Sequence, residues 1–142
     1  FTDNKVVVNE DGSESVLCSR SDGFGLEMLR RTTNIKLLIL SKEKNKVASK
    51  RAHKLGIECK LSIENKLEEL SAWLAKHKIS FSETAFVGND LNDVECLKEC
   101  GIGIVVADAH ESVIPFADYK LKNRGGNHAL RELTDLIIKN YE

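Results

Sequence analysis

The run Ile35-Lys36-Leu37-Leu38-Ile39-Leu40, apolar at every position but one, narrows the fold more than any other stretch of the chain. A strand with one wet face would alternate apolar and polar residues, whereas a nearly unbroken apolar run needs cover on both faces, as in a parallel sheet. Short runs of similar character recur near residues 57–60, 84–87, 103–106 and 119–121, and stretches with helical periodicity separate them. The segment 44–55 stops at Gly56. Lys66–His77 sets Leu67, Leu70 and Leu74 on one stripe, and 128–139 repeats the pattern with Leu130, Leu133 and Ile137. Shorter helices are predicted over 93–100 and 111–116. Parallel neighbours require crossovers of this length, so the alternation predicts a doubly wound α/β domain with a mostly parallel sheet and helices on both faces. Its ligands should bind beyond the carboxyl ends of the strands.

The front of the chain departs from this alternation. Residues 6–8 and 15–18 are β-formers flanking Asn9-Glu10-Asp11-Gly12, the pattern of a β-hairpin. Ser21-Asp22-Gly23 then offers a cap to a short helix running from Phe24 toward Arg30-Arg31. With 142 residues, 42% hydrophobic, and no linker or repeat, residues 1–142 read as one domain. Lys and Arg (21) nearly balance Asp and Glu (22), so no strong field points to nucleic acid or an anionic membrane. No apolar run reaches the length of a membrane span, and Phe1-Thr2-Asp3-Asn4 lacks the pattern of a signal peptide; a cytoplasmic location is the expectation. The four scattered cysteines read as reduced thiols. Cys96 and Cys100, four apart on a helix, share a face and read as core packing rather than as zinc ligands.

Polar residues collect just after the predicted strands. Ser41-Lys42-Glu43 follows Leu40, Lys66 follows the 57–60 run at some distance, and Gly88-Asn89-Asp90-Leu91-Asn92-Asp93 follows Val87. The last of these places hard oxygen donors on one turn, which suits Mg²⁺, although Asn and Asp there serve equally well as a helix cap. A serine after a strand is ordinarily a turn former, and a lysine opening a helix is ordinarily solvated. Gathered around a metal, a hydroxyl and an ammonium are the groups that hold a phosphoryl group, whose transfer depends on positioning and charge neutralisation. Asp22 admits both a capping and a substrate-facing reading, and His110 reads as a helix-start or core residue rather than as a base.

Taken in order, Thr2-Asp3, Ser41, Lys66 and the 88–93 turn resemble the four motifs of the haloacid dehalogenase superfamily. Val106-Ala107-Asp108-Ala109-His110, Ile114-Pro115-Phe116-Ala117-Asp118-Tyr119, and Gly125-Gly126 before Ala129-Leu130-Arg131-Glu132 are similar to its capless branch of octulosonate and nononate phosphate phosphatases, which also includes the C-terminal domain of some acylneuraminate cytidylyltransferases. The resemblance implies a Rossmann-like domain with an N-terminal hairpin and no cap domain. It implies Ser41 and Lys66 as catalytic groups and Asn89, Asp90 and Asp93 as Mg²⁺ ligands. Glu43, Asp22 and Arg124 would contact the substrate, a sugar acid phosphate.

The family's nucleophile and acid–base aspartates belong to an Asp-x-Asp-Gly segment, which the resemblance places ahead of Phe1 together with the first strand. Asn89 stands where most active relatives carry aspartate and supplies no negative charge. Ser41-Lys42-Glu43 lies closer to the nononate and sialic-acid branch than to the Thr-Gly-Arg of octulosonate enzymes, so a nine-carbon sugar acid phosphate is the expected substrate, cleaved through a phospho-aspartate. The branch also implies a homotetramer in which the hairpin enters a central barrel and residues 124–128 cover a neighbouring site. The alternative is a non-catalytic tetramerisation module, the phosphatase-like C-terminal domain of a CMP-sialic acid synthetase. A response-regulator receiver shares the alternation but has neither the early hairpin nor the Gly-Asn-Asp-x-Asn-Asp loop.

Overall fold

A computed structural model describes all residues, Phe1–Glu142. The hairpin consists of β1 (Val7–Val8) and β2 (Glu14–Ser15), antiparallel with Val7 opposite Ser15. It is shorter than expected: the ladder ends before Val16, and beyond it only Thr2 and Cys18 bridge. Then come α1 (Arg20–Thr32), β3 (Leu38–Leu40), α2 (Val47–Leu55), β4 (Glu58–Lys60), α3 (Lys66–His77), β5 (Ala85–Gly88), α4 (Val94–Glu99), β6 (Ile102–Val105), β7 (Tyr119–Lys120) and α5 (Ala129–Asn140). The mixed α/β architecture with parallel strands is the one the apolar runs require, and no cap is evident. No helix is long and apolar enough to cross a membrane.

The sheet is built as two parallel pieces. β3 pairs with β4, and β5 with β6 and then β7; no ladder joins β3 to β5. Leu38 and Leu40 of β3 and Phe86 of β5 nevertheless pack on one shared cluster of Leu70, Trp73, Leu74, Cys96 and Cys100. The two pieces therefore stand side by side on α3 and α4 without hydrogen bonds across the break. The cysteines of α4 are core residues, and all four cysteines are free.

Local chemistry explains most boundaries. Asn65 caps α3 by accepting the Glu68 N–H at 3.1 Å, and Leu70, Trp73 and Leu74 turn inward. The sequence placed the cap of α1 too late. Ser19 is extended and accepts the Asp22 N–H at 3.2 Å, so the helix starts four residues before Phe24 and Asp22 lies inside its first turn. The segment 111–116 is a turn followed by a 3₁₀ stretch at Ile114–Phe116, because Pro115 lacks the N–H that a longer helix would use. The longest-range packing is between α1 and α5, the first and last helices.

Candidate active site

Since the strands within each piece are parallel, their carboxyl ends present one loop set per piece, and an ion pair brings the two sets together. Lys66 opens α3 beyond β4, and its Nζ lies 2.7 Å from Asp93 Oδ1, which follows β5. The lysine side chain is 12% exposed and the aspartate 2%, so the pair is largely withdrawn from water. Removing either partner of such a pair leaves an uncompensated charge, at a cost of about 3–5 kcal/mol when fully buried.

Asp93 also organises its own loop. Its Oδ2 accepts the N–H groups of Asn89 (2.8 Å) and Asp90 (3.2 Å), so both oxygens of this expected metal ligand are engaged by protein donors. Gly88 makes the fold-back possible, because a Cβ there would sit 2.6 Å from Asp93 Cβ. Asp90 caps the following 3₁₀ turn and accepts the Leu91 N–H at 2.7 Å. Capping is thus realised at this turn, and Asn89 and Asp90 carry its remaining oxygens at half-buried positions.

Ser41 extends the β3–β4 ladder, donating its N–H to Lys60 O at 2.9 Å. Its Oγ accepts the Glu43 N–H at 3.2 Å, which leaves the hydroxyl proton free to point outward. Ile63 N–H to Ser41 O and Ser62 N–H to Glu43 O tie this turn to the strand exit that leads to Lys66. Ser41, Glu43, Lys66 and the 88–93 turn therefore share one edge, with Glu43 exposed.

Arg124 and Asp22 occupy different settings. Arg124 is exposed, on a stretch beside the front of the chain: a Cβ on Gly126 would fall 2.3 Å from Asp3 N, and one on Gly125 3.2 Å from Thr2 O. Asp22 is 1% exposed, and its Oδ1 accepts the Arg131 N–H at 2.8 Å. It thereby satisfies a first-turn N–H of α5, a helix whose own cap residue, His128, supplies no side-chain acceptor. Its Oδ2 has no partner within the chain.

Spacing gave no hint of two contacts at this edge. Asp108 Oδ1 accepts the Gly125 N–H at 2.8 Å, and the His110 N–H donates to Asn89 O, also at 2.8 Å. The first joins a side chain to a backbone amide and the second joins two backbones, each between distant segments, and no residue spacing announces them.

The haloacid dehalogenase-like hydrolase family model matches residues 30–127, most of the chain, including Ser41, Lys66 and the 88–93 turn. The chain belongs to this family. It is 34% identical to the 3-deoxy-D-manno-octulosonate 8-phosphate phosphatase KdsC of Salmonella typhi over 139 residues, which cover 97% of this chain and 73% of that one. Among solved structures it superposes with TM-score 0.92 on the 3-deoxy-D-manno-octulosonate 8-phosphate phosphatase of Moraxella catarrhalis, a complex with magnesium ion, phosphate ion and KDO, at 32% identity over 97% of this chain and 79% of that one. The cobalt-bound deoxy-D-mannose-octulosonate 8-phosphate phosphatase of Haemophilus influenzae gives TM-score 0.90 at 27% identity, covering 97% of this chain and 81% of that chain. The fold and family expected from the motifs therefore hold.

Proposed function

We propose that this domain is the body of a Mg²⁺-dependent phosphatase that hydrolyses the phosphate monoester of a 2-keto-3-deoxy sugar acid. The observation that carries the reading is the Lys66–Asp93 pair, which holds an acidic oxygen-rich turn beside an ammonium and a serine hydroxyl at one sheet edge. The hard oxygens of Asn89 and Asp90 fit a Mg²⁺ ion, which takes one or two carboxylates and fills its other positions with water and phosphate oxygens. No three His, Cys, Asp or Glu side chains of the chain converge by themselves, so the remaining ligands come from elsewhere. Bound there, the ion neutralises charge on the phosphoryl oxygens. Ser41 donates its free hydroxyl proton to one phosphoryl oxygen, and Lys66 balances the negative charge of nucleophile and phosphate.

The covalent step needs a nucleophilic aspartate and an acid–base aspartate, and the proposal assigns both to an Asp-x-Asp-Gly strand ahead of Phe1. The break between β3 and β5 supports this, since both strands offer unpaired inner edges and part-buried apolar side chains to an extended neighbour. Glu43 favours nononate 9-phosphate over the octulosonate 8-phosphate handled by the relatives. The test is phosphate release, with Mg²⁺, from both sugar phosphates by the chain carrying the added strand. Mg²⁺-dependent turnover with higher kcat/KM for the nononate supports the full reading. Preference for the octulosonate overturns the sugar assignment alone.

A second reading, the non-catalytic tetramerisation module, draws on Asn89 and on the hairpin. Val7, Val8 and Leu17 are 58%, 64% and 71% exposed, an apolar ribbon suited to burial in a homotetramer. An extended chain that forms tetramers in analytical ultracentrifugation but releases no phosphate decides for this reading.

A further inference from the structure

The stretch 122–128 has no regular structure, yet three carboxylates from three places fix it and its entry into α5. Glu132 accepts the N–H groups of Lys122 and Asn123 and the Asn123 side-chain amide, at 2.9–3.1 Å. Asp108 takes the Gly125 N–H at 2.8 Å, and Asp22 takes the Arg131 N–H at 2.8 Å. Hydrogen bonds from amides to ionised acceptors are stronger than neutral ones. The turn carrying Asp108 is itself anchored on both sides: Ala107 N–H donates to Asn123 O at 3.0 Å, and His110 N–H to Asn89 O at 2.8 Å. The acidic turn of the site, the 107–110 turn and the Arg124 stretch thus form one connected backbone network. Gly126, with φ 67° and no room for a Cβ against Asp3, lets the stretch lie directly on the front of the chain. Arg124 takes part in none of the chain's five ion pairs, so its cation is unspent.

We infer that Asp108 is a positioning residue: by holding the Gly125 N–H it seats the Arg124 turn on Thr2-Asp3 and fixes that guanidinium at the rim as the arm for the sugar carboxylate. The inference rests on the proposed sugar-acid reading for its ligand, but not for its geometry. Of the three anchors, Glu132 and Asp22 secure the ends of the stretch, where it leaves β7 and where it enters α5. Glu132 holds Asn123 and Asp108 holds Gly125, so the two flank Arg124, and Asp108 is the one of them that lies outside α5. It is exposed, so its truncation opens no core cavity. Asparagine at this position keeps an oxygen acceptor without the charge, which separates the hydrogen bond from the field.

Two measurements on the chain carrying the added Asp-x-Asp-Gly strand test this. In hydrogen–deuterium exchange, Asp108→Ala should speed exchange over 122–128 by about tenfold or more while β6 and α4 stay protected, and Asp108→Asn should restore most of the protection. Unchanged exchange in Asp108→Ala, or a rise throughout the domain, overturns the inference. In calorimetry with Mg²⁺, Asp108→Ala and Arg124→Ala should each weaken binding of 3-deoxy-D-manno-octulosonate about tenfold. The double variant should lose little more than either single one, and binding of inorganic phosphate should be retained. Additive losses, or equal losses for phosphate and sugar acid, also overturn it. If the wild-type chain binds phosphate but neither this sugar acid nor a 2-keto-3-deoxy-nononate, the proposed substrate class fails, and the exchange experiment still decides the role of Asp108.

Discussion

The two pieces of the sheet were built to different standards of burial. In the three-stranded piece, Ile104, Val105 and Val106 are buried, and Val105, Val113 and Leu97 close a cluster that water does not reach. In the two-stranded piece, Leu38, Ile39 and Leu40 are all only half-buried, although every residue of the strand is apolar. Hydrophobicity alone does not separate the two; what does is the number of neighbours, since β6 is flanked on both sides and β3 on one. A wholly apolar strand is thus left without a hydrogen-bonded neighbour on its inner edge. The pieces are held together by side chains, through the Trp73 cluster beneath and the Lys66–Asp93 pair at the carboxyl edge.

This contrast can be tested by truncation. Leu97→Ala in the saturated piece should cost about 3–4 kcal/mol in urea denaturation, and Leu38→Ala about 1–2 kcal/mol, because a half-buried site loses less apolar area and leaves a smaller void. Equal losses would show the two pieces to be equally packed. Lys66→Met should cost about 3 kcal/mol by the same measurement, as Asp93 is left buried with amide partners only. Adding Asp93→Asn to Lys66→Met should recover part of that loss, and no recovery would mean that the pair is not what joins the pieces.

A smaller effect tests the shared cluster by pH. Burial, with the neighbouring Cys100 and Asp93, pushes the Cys96 thiol from 9.0 up to about 12, and burial with Glu99 pushes Cys100 up to about 11. An unfolded chain ionises these thiols near 9, so their contribution to stability is complete below that pH and is lost as pH rises through about 11 to 12. Thermal melts between pH 8 and 12 should therefore fall less steeply in a Cys96→Ala, Cys100→Ala variant than in the wild type. Least of all should Val7→Lys alter the fold: on an exposed hairpin position its effect on intrinsic stability should stay within about 0.5 kcal/mol, and on the tetramerisation reading proposed above sedimentation should report smaller assemblies than for the wild type.

The sequence was most legible where structure is local. α3 spans Lys66–His77 as read, because its cap, its stripe and its end all lie within one stretch. The α/β class followed from apolar runs and crossover lengths, which are also local quantities. Illegible were the features made by distant partners. β3 begins at Leu38 rather than Ile35, since only Leu38, Ile39 and Leu40 find partners on β4. Asp22 reads as a cap from its neighbours, and it does cap, but for α5, from 109 positions away. Asp93 looks like one oxygen donor among several until its three partners are seen. The joining of Asp108 to Gly125 leaves no trace in spacing, because an exposed aspartate and a glycine are both ordinary loop residues.

The tie from Asp22 to the Arg131 N–H has a consequence for how the domain is made. α1 finishes its core only against α5, so α1 must wait, part-exposed, until α5 has been synthesised. Contacts of such sequence separation slow folding and lengthen the interval in which sticky surface is available to chaperones. A ribosome stalled before α5 would therefore release a chain damaged at α1, some hundred residues upstream.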